Sequence, residues 1–253
     1  MVAAERQHEE QMREKDAAAR NTHAAHLAAE ENLVDAQRQA GRVALRRIRG
    51  SPDTPTSVTA DHRIAFRDDV DYVTIGAPAC TVSARGFYEV TLSRFPRGNP
   101  LGDAVEFDDA QLAPQFGWVG KGFELSVLSS GGSGVGDDAH GWGLDGERLM
   151  KWHSGSHAFP EAGRWVTGDV LGFAADCVAG RILFARNGVW CTAFEGIEPA
   201  RMAGLYPALS GEAPLELHVN LGDREFVHGP PDASFLSMHA IGEQPAETGG
   251  SGG

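Results

Sequence analysis

The sequence predicts an all-β domain, a bent antiparallel sandwich, preceded by a long N-terminal α-helix. Three observations carry this. From residue 61 onward the apolar residues fall in short runs, many of them alternating, broken by Gly, Pro, Asn and Asp, which is the pattern of half-buried strands joined by turns. Arg186-Asn187-Gly188 places Asn-Gly between two such runs, and Asn-Gly accepts the positive φ angles of a two-residue hairpin turn. Residues 1–49, by contrast, contain no Pro and a single Gly (Gly41), and are dense in Ala, Glu, Gln and Arg, all good helix formers.

Within that N-terminal stretch, Glu5 to Arg20 is charged on all sides and has no apolar stripe, so it reads as a solvated helix supported by pairs such as Glu9–Arg13. The second half has a thin stripe of Leu27, Val34, Gly41 and Ile48, with Val43 and Leu45 beside it. Leu27, Val34, Leu45 and Ile48 are therefore candidates for docking the arm onto a partner helix or larger assembly, as a coiled coil or a single docking helix. Arg42, Arg46, Arg47 and Arg49 complement the negative end of that helix, with a basic contact surface as the alternative. Pro52 and Pro55 end the helix, and residues 50–60 read as a linker.

The predicted strands run through Arg63–Arg67, Val70–Ile75, Phe87–Arg94, Phe116–Val119, Phe123–Val127, Arg148–Trp152, Val170–Asp176, Arg181–Ala185, Val189–Phe194, Leu205–Leu209 and Leu215–Leu221. In Phe87–Leu92, Tyr88, Val90 and Leu92 alternate with Phe87, Glu89 and Thr91, one set for a core and one for the opposite face. The sandwich is expected over residues 61–228, and residues 229–253 read as an extended or flexible tail.

Gly141–Gly146, GWGLDG, fits the G-x-G-x-x-G expression of dinucleotide sites, but its setting excludes that chemistry. Asp137-Asp138 precedes the glycines and would repel phosphate, and Arg148–Trp152 after them reads as a strand where a phosphate loop needs a helix. Strand, Asp145-Gly146 turn and strand is the better reading.

Charge narrows the function further. The formal net charge is −13 over 253 residues; residues 1–50 hold nine basic and eight acidic side chains, and residues 51–253 hold thirteen and twenty-seven. An acidic domain is repelled by nucleic acid and anionic membrane, so neither is an expected partner, and proteins with basic surfaces are. No apolar run approaches the ~20 residues of a membrane span, and the N-terminus has no leader-like apolar region. Cys80, Cys177 and Cys191 lie in or beside apolar runs without metal-ligand spacing and read as buried thiols of a reducing compartment. The expected location is cytoplasmic, including a cytoskeletal or ciliary structure.

Enzymatic signals are weak. There is no G-x-S-x-G elbow. Asp137, Asp138, His140, His153 and His157 are the one group of metal-ligand types, but Trp152–His157 reads as strand and turn, so their spacing carries no geometry and no metal or other cofactor is expected. Asp68-Asp69 and Asp108-Asp109 raise glycosidase chemistry, and with it the alternative of a carbohydrate- or nucleotide-binding lectin-like sandwich, against which adjacent carboxylates in turns are ordinarily just solvated. Trp118, Trp142, Trp152, Trp165 and Trp190 read as core.

GFYEVTL (86–92), FGWV (116–119), GDDAHGWGLDG with LMKWHSG, GDVLGFAADCVAGRILFARNG (168–188), AFEGI (193–197), LYPALSG (205–211) and ELHVNLG together resemble the SPRY domain family, in the family's order. The resemblance implies a non-enzymatic protein-interaction module whose partner surface is built from loops at one edge. Phe95–Leu101, Ser129–Asp138 and His153–Arg164 are the corresponding loops here. Phe95, Arg97, Asn99, Leu101, Asp137, Asp138, His153 and His157 are then the candidate partner-binding residues. Members that recruit substrates to ubiquitin ligases carry an aromatic before the Trp-Gly turn and an apolar-Trp pair after the LYPAxS strand. Ser129-Ser130-Gly131-Gly132 and Gly211-Glu212 stand there instead, and no ligase-docking box is visible, so a ligase adaptor is the alternative rather than the leading expectation. The expected partner is a protein within a multi-subunit assembly.

Overall fold

A computed structural model describes residues 43–50, 56–67, 72–95, 113–125 and 134–242. In chain order the strands are β1 (Arg46–Arg49), β2 (Thr56–Val58), β3 (Arg63–Phe66), β4 (Val73–Gly76), β5 (Arg85–Arg94), β6 (Gln115–Val119), β7 (Gly141–Asp145), β8 (Met150–Trp152) and β9 (Ser156–Ala158). They continue as β10 (Val170–Asp176), β11 (Arg181–Arg186), β12 (Val189–Phe194), β13 (Tyr206–Gly211), β14 (Leu215–Asn220) and β15 (Leu236–Ser237). Short helical turns α1 (Gly122–Leu125), α2 (Pro199–Met202) and α3 (Met238–Gly242) interrupt them. Among the described residues one sheet has the order β1-β4-β13-β6-β7-β8-β9 and the second β12-β11-β10-β5-β14-β3-β2. All of these pairings are antiparallel; β15 adds to β5 in parallel.

The core between the sheets follows from the alternation in β5. Tyr88, Val90 and Leu92 point inward and are fully buried. Tyr88 stacks on Phe173 at 5.1 Å and meets Trp118 of the opposite sheet edge-on at 5.0 Å, while its hydroxyl donates to Gly117 O. Trp165 stacks between Phe116 and Phe184 at 5.3 and 5.9 Å. Burying each such side chain stabilises the fold by about 1.5–3 kcal/mol. The hairpin at Asn187-Gly188 has the predicted positive φ angles, 51° and 80°.

Several expectations are corrected. The helix predicted to reach residue 49 is absent over residues 43–49. Val43, Ala44 and Leu45 are buried at 5%, 3% and 7% exposure, and Arg46–Arg49 pairs with β4 through a bulge. Helix propensity is a weak prior, and an open sheet edge beside β4 that can bury this apolar run outweighs it. Leu45 thus belongs to the main core and Ile48 packs on Val119, Phe123 and Tyr206, so neither is a docking residue of a helix. Leu27 and Val34 lie outside the described residues. The predicted linker contains β2, an edge strand, and the predicted strand at Phe123 begins as α1, whose Phe123 is fully buried. Residues 229–242 do not trail away: Met238 is fully buried, and Cys80 Sγ donates to Met238 O at 2.8 Å.

The last correction has a physical cause in the outward side of β5. Phe87 faces away from the main core together with Ala174 and Leu183, and apolar side chains there need cover. Phe226 packs on Phe87 at 4.6 Å and Phe235 joins the same cluster. Between them Glu89, 2% exposed, accepts the backbone N–H groups of Val227, His228 and Gly229 at 2.8, 2.9 and 2.9 Å. The segment after β14 is therefore a fixed cover on that sheet.

Candidate functional site

The other sheet is covered by the glycine- and aspartate-rich segment before β7, and the glycines make that possible by close approach. A side-chain carbon on Gly143 would lie 1.9 Å from Val135 O, and one on Gly146 would strike the Trp165 ring at 2.0 Å. Gly134–Asp138 therefore lies flat on β6 and β7. Beneath it Ser210 Oγ accepts the Val135 N–H at 3.0 Å and pairs with Thr74 Oγ1 at 2.7 Å.

Both aspartates of this segment are committed inward. Asp137 accepts the Gly134 N–H at 2.9 Å and Gln115 Nε2 at 2.8 Å. Asp138 takes the Arg49 guanidinium at 2.6 Å, with both side chains under one-tenth exposed, and the His140 N–H at 2.8 Å. The same guanidinium lies 3.4 Å from the centre of the Phe123 ring, and its Nε donates to Phe123 O at 2.8 Å. Asp138 is thus a fastener of the cover rather than a partner contact, which corrects the expectation. Arg49, read from sequence as complementing a helix end with a basic contact surface as the alternative, is its buried counter-ion.

At the rim where β7 and β8 meet the turn before β13, the side chains turn outward. The His153 ring stacks on Trp142 at 4.5 Å with 7° between the planes. Arg201 Nη2 approaches His153 Nε2 at 2.8 Å and Ala139 O at 3.3 Å, and its guanidinium lies 5.6 Å from the Trp142 ring centre. Arginine can only donate, so Nε2 accepts; the proton then sits on Nδ1, which donates to Gly141 O at 2.7 Å. His153 is held neutral, and burial, followed by the nearby Arg201 charge, pulls its pKa below the ordinary value despite the opposing bond to Gly141 O.

His140 and Lys121 complete this rim. Both are exposed. Gly120 N–H donates to His140 O at 2.8 Å, and a carbon on Gly122 would lie 2.4 Å from His140 Nδ1. Lys121 Cε comes within 3.8 Å of the side-chain position of Gly204, three residues past Arg201. Beyond Ser154 and Gly155, which turn with φ of 53° and 145°, the edge strand β9 carries an exposed His157.

Of the residues singled out by sequence, His153 and His157 therefore lie on this rim. Asp137 and Asp138 lie under the neighbouring cover. Phe95 is 5% exposed and meets Trp165 edge-on at 6.2 Å, so it is a core residue and not a contact. Arg97, Asn99, Leu101, Asp68, Asp69, Asp108 and Asp109 lie outside the described residues. Lys121 and Arg201 were missed as partner candidates; isolated cations leave no local pattern, although Lys121 is one of only three lysines in the chain.

No three His, Cys, Asp or Glu side chains converge on a metal position among the described residues. Burial pushes the Cys80 and Cys177 thiols up to about 11. Among the described residues no helix is long and apolar enough to cross a membrane.

Residues 105–224 match the family model described as the SPRY domain. The E3 ubiquitin-protein ligase RKP of Arabidopsis thaliana is 35% identical over 152 residues, which covers 59% of this chain and 10% of that protein. The chain thus matches about a tenth of the length of this curated relative.

Proposed function

We propose, from the match of residues 105–224 to the SPRY domain model, that the chain is a non-enzymatic protein-interaction module that holds its partner at the rim built from residues 120–122, 139–142, 153–158 and 199–204. The observation that carries this reading is the His153–Trp142–Arg201 arrangement, in which a buried Trp142 ring fixes the orientation of a half-buried His153 and an exposed Arg201. Rigid presentation of such groups lowers the ordering cost of binding. Parts of the outward faces of both sheets carry chain segments anchored by buried carboxylates, whereas the rim lies under neither cover. Residues 1–42 would supply a second contact within a larger cytoplasmic assembly, a cytoskeletal or ciliary one included, and two linked contacts bind more tightly than either alone.

A photo-crosslinking amino acid at Lys121 or His157, compared with one at Ser57 on the far edge of the other sheet, tests the reading in the native cell. Adducts with a discrete protein from the rim positions and none from Ser57 are expected. Equal labelling from all three, or none from the rim, overturns it.

The relative named as a ubiquitin ligase favours a second reading, in which this module selects the substrate of a ligase assembly. The same adducts decide it: co-purification of ubiquitin-ligase subunits with the chain, lost on rim substitution, is the outcome that distinguishes it.

A further inference from the structure

We infer that the rim corner formed by Lys121, His140, His153 and Arg201 receives an acidic peptide segment of the partner. This rests on the reading above and names the chemistry of what binds there. Residues 51–253 carry more than twice as many acidic as basic side chains, thirteen basic against twenty-seven acidic, so a local gathering of cations is out of keeping with the domain. Yet two cations, Lys121 and Arg201, are brought to one corner beside His140 and the neutral His153, from four separate segments. Arg201 bridges Ala139 O and the His153 ring, His140 follows Ala139 and lies against the Gly122 turn, and Lys121 of that turn reaches Gly204.

Two of the nearest carboxylates are engaged with other side chains. Asp138 is occupied by Arg49 at 2.6 Å and Asp137 by Gln115 at 2.8 Å. Glu198, at the exposed start of α2, is the remaining acid with a described side chain on these segments. Arg201 is exposed and uses Nη2 for its two internal bonds, which leaves its Nε and Nη1 N–H groups to donate singly to a carboxylate. The Lys121 ammonium has no hydrogen bond or ion pair among the described residues, and it is exposed. His153 stacked on Trp142 holds Arg201 in place from the other side.

A short acidic segment suits this corner better than a nucleic acid does. Exposed charges interact over roughly 8 Å at physiological salt. A peptide carboxylate within that range of Lys121 and Arg201 senses chiefly the corner, whereas a long polyanion would also run along a surface of net negative charge.

Fluorescence anisotropy of a labelled oligoglutamate peptide with the full chain, at low and high salt, tests the inference, with oligolysine as the opposite-charge probe. Lys121→Glu/Arg201→Glu is compared with Arg67→Glu/Arg94→Glu, which makes the same change in net charge at exposed positions elsewhere, and melting curves verify that both variants fold. Salt-sensitive oligoglutamate binding that falls about tenfold or more in the corner variant and less than about twofold in the control is expected. Failure of oligoglutamate to bind at low salt, equal weakening in both variants, or preferential binding of oligolysine at the corner overturns it. If the rim crosslinks persist while the oligoglutamate arm fails, only the acidic character of the partner is overturned and the interaction reading stands.

Discussion

The outward faces of the two sheets solve the same problem with different chemistry. Over β5 and β10 the cover is aromatic, Phe226 and Phe235 on Phe87, and one buried carboxylate, Glu89, gathers three backbone N–H groups. Over β6 and β7 the cover is polar, with hydroxyls and amides beneath Gly134–Asp138 and one buried ion pair, Arg49–Asp138. A carboxylate held by neutral donors can be replaced by a neutral group with modest loss. An ion pair under a lid cannot lose one member without leaving the other charge buried. The two covers are therefore unequally tolerant of substitution, and the rim side chains lie under neither.

The largest expected effect breaks the polar cover. Arg49→Met leaves the Asp138 carboxylate buried and unpaired, and should cost about 3–5 kcal/mol of unfolding free energy in urea titrations. Arg49→Met/Asp138→Leu removes both charges and should recover most of that loss. If the double variant is as unstable as the single one, packing of Arg49 on Phe123 at 3.4 Å matters more than charge compensation.

Breaking the aromatic cover should cost less. Glu89→Ala removes the acceptor of three N–H groups, but Val227 and His228 are exposed and their amides can turn to water, so about 2–3 kcal/mol is expected. Amide hydrogen exchange at residues 227–229 should accelerate while the β10 amides stay protected, because local opening is read at the segment that opens.

A smaller and pH-dependent effect belongs to the rim. The folded pKa of His153 lies below its ordinary value, chiefly through burial. Its contribution to stability is therefore complete above the unfolded pKa of about 6.5 and is lost as pH falls from there through the folded pKa. Protonated Nε2 would also face the Arg201 donor, with Asp138 and His140 as the other charged or titratable neighbours. His153→Phe keeps a ring on Trp142 and cannot titrate, so its melting temperature should fall less between neutral and acidic pH than that of the unsubstituted chain. His218 is lowered likewise and is common to both proteins, so the difference isolates His153.

Much of the scaffold is legible in the sequence because its causes are local. Alternation of Tyr88, Val90 and Leu92 with Phe87 and Glu89, and the Asn187-Gly188 turn, need only near neighbours to be read, and Val170–Asp176 matches its strand end to end. What misleads is what depends on distant residues. Residues 43–49 have helix-forming composition, and their strand exists because β4 offers an edge to pair with. Asp138 reads as an exposed acid because its counter-ion, Arg49, is 89 positions away. The rim is half legible for the same reason: His153 and His157 sit in a recognisable loop, whereas Arg201 and Lys121 matter only through what they meet in space.

The smallest effect on stability should accompany a clear effect on binding, and His157 is where the contrast between covers and rim is sharpest. It lies opposite Lys151 in the edge strand β9, and its exposed side chain has no hydrogen bond or ion pair among the described residues. His157→Ala therefore orphans no buried group, and unfolding free energy should change by less than about 0.5 kcal/mol. Partner crosslinking from Lys121 should nevertheless weaken, since an edge side chain contributes only when something is bound against it. A loss of stability comparable to that of Glu89→Ala would place β9 among the covering elements and remove it from the recognition rim. Unchanged stability with unchanged crosslinking would confine recognition to the Trp142–His153–Arg201 corner.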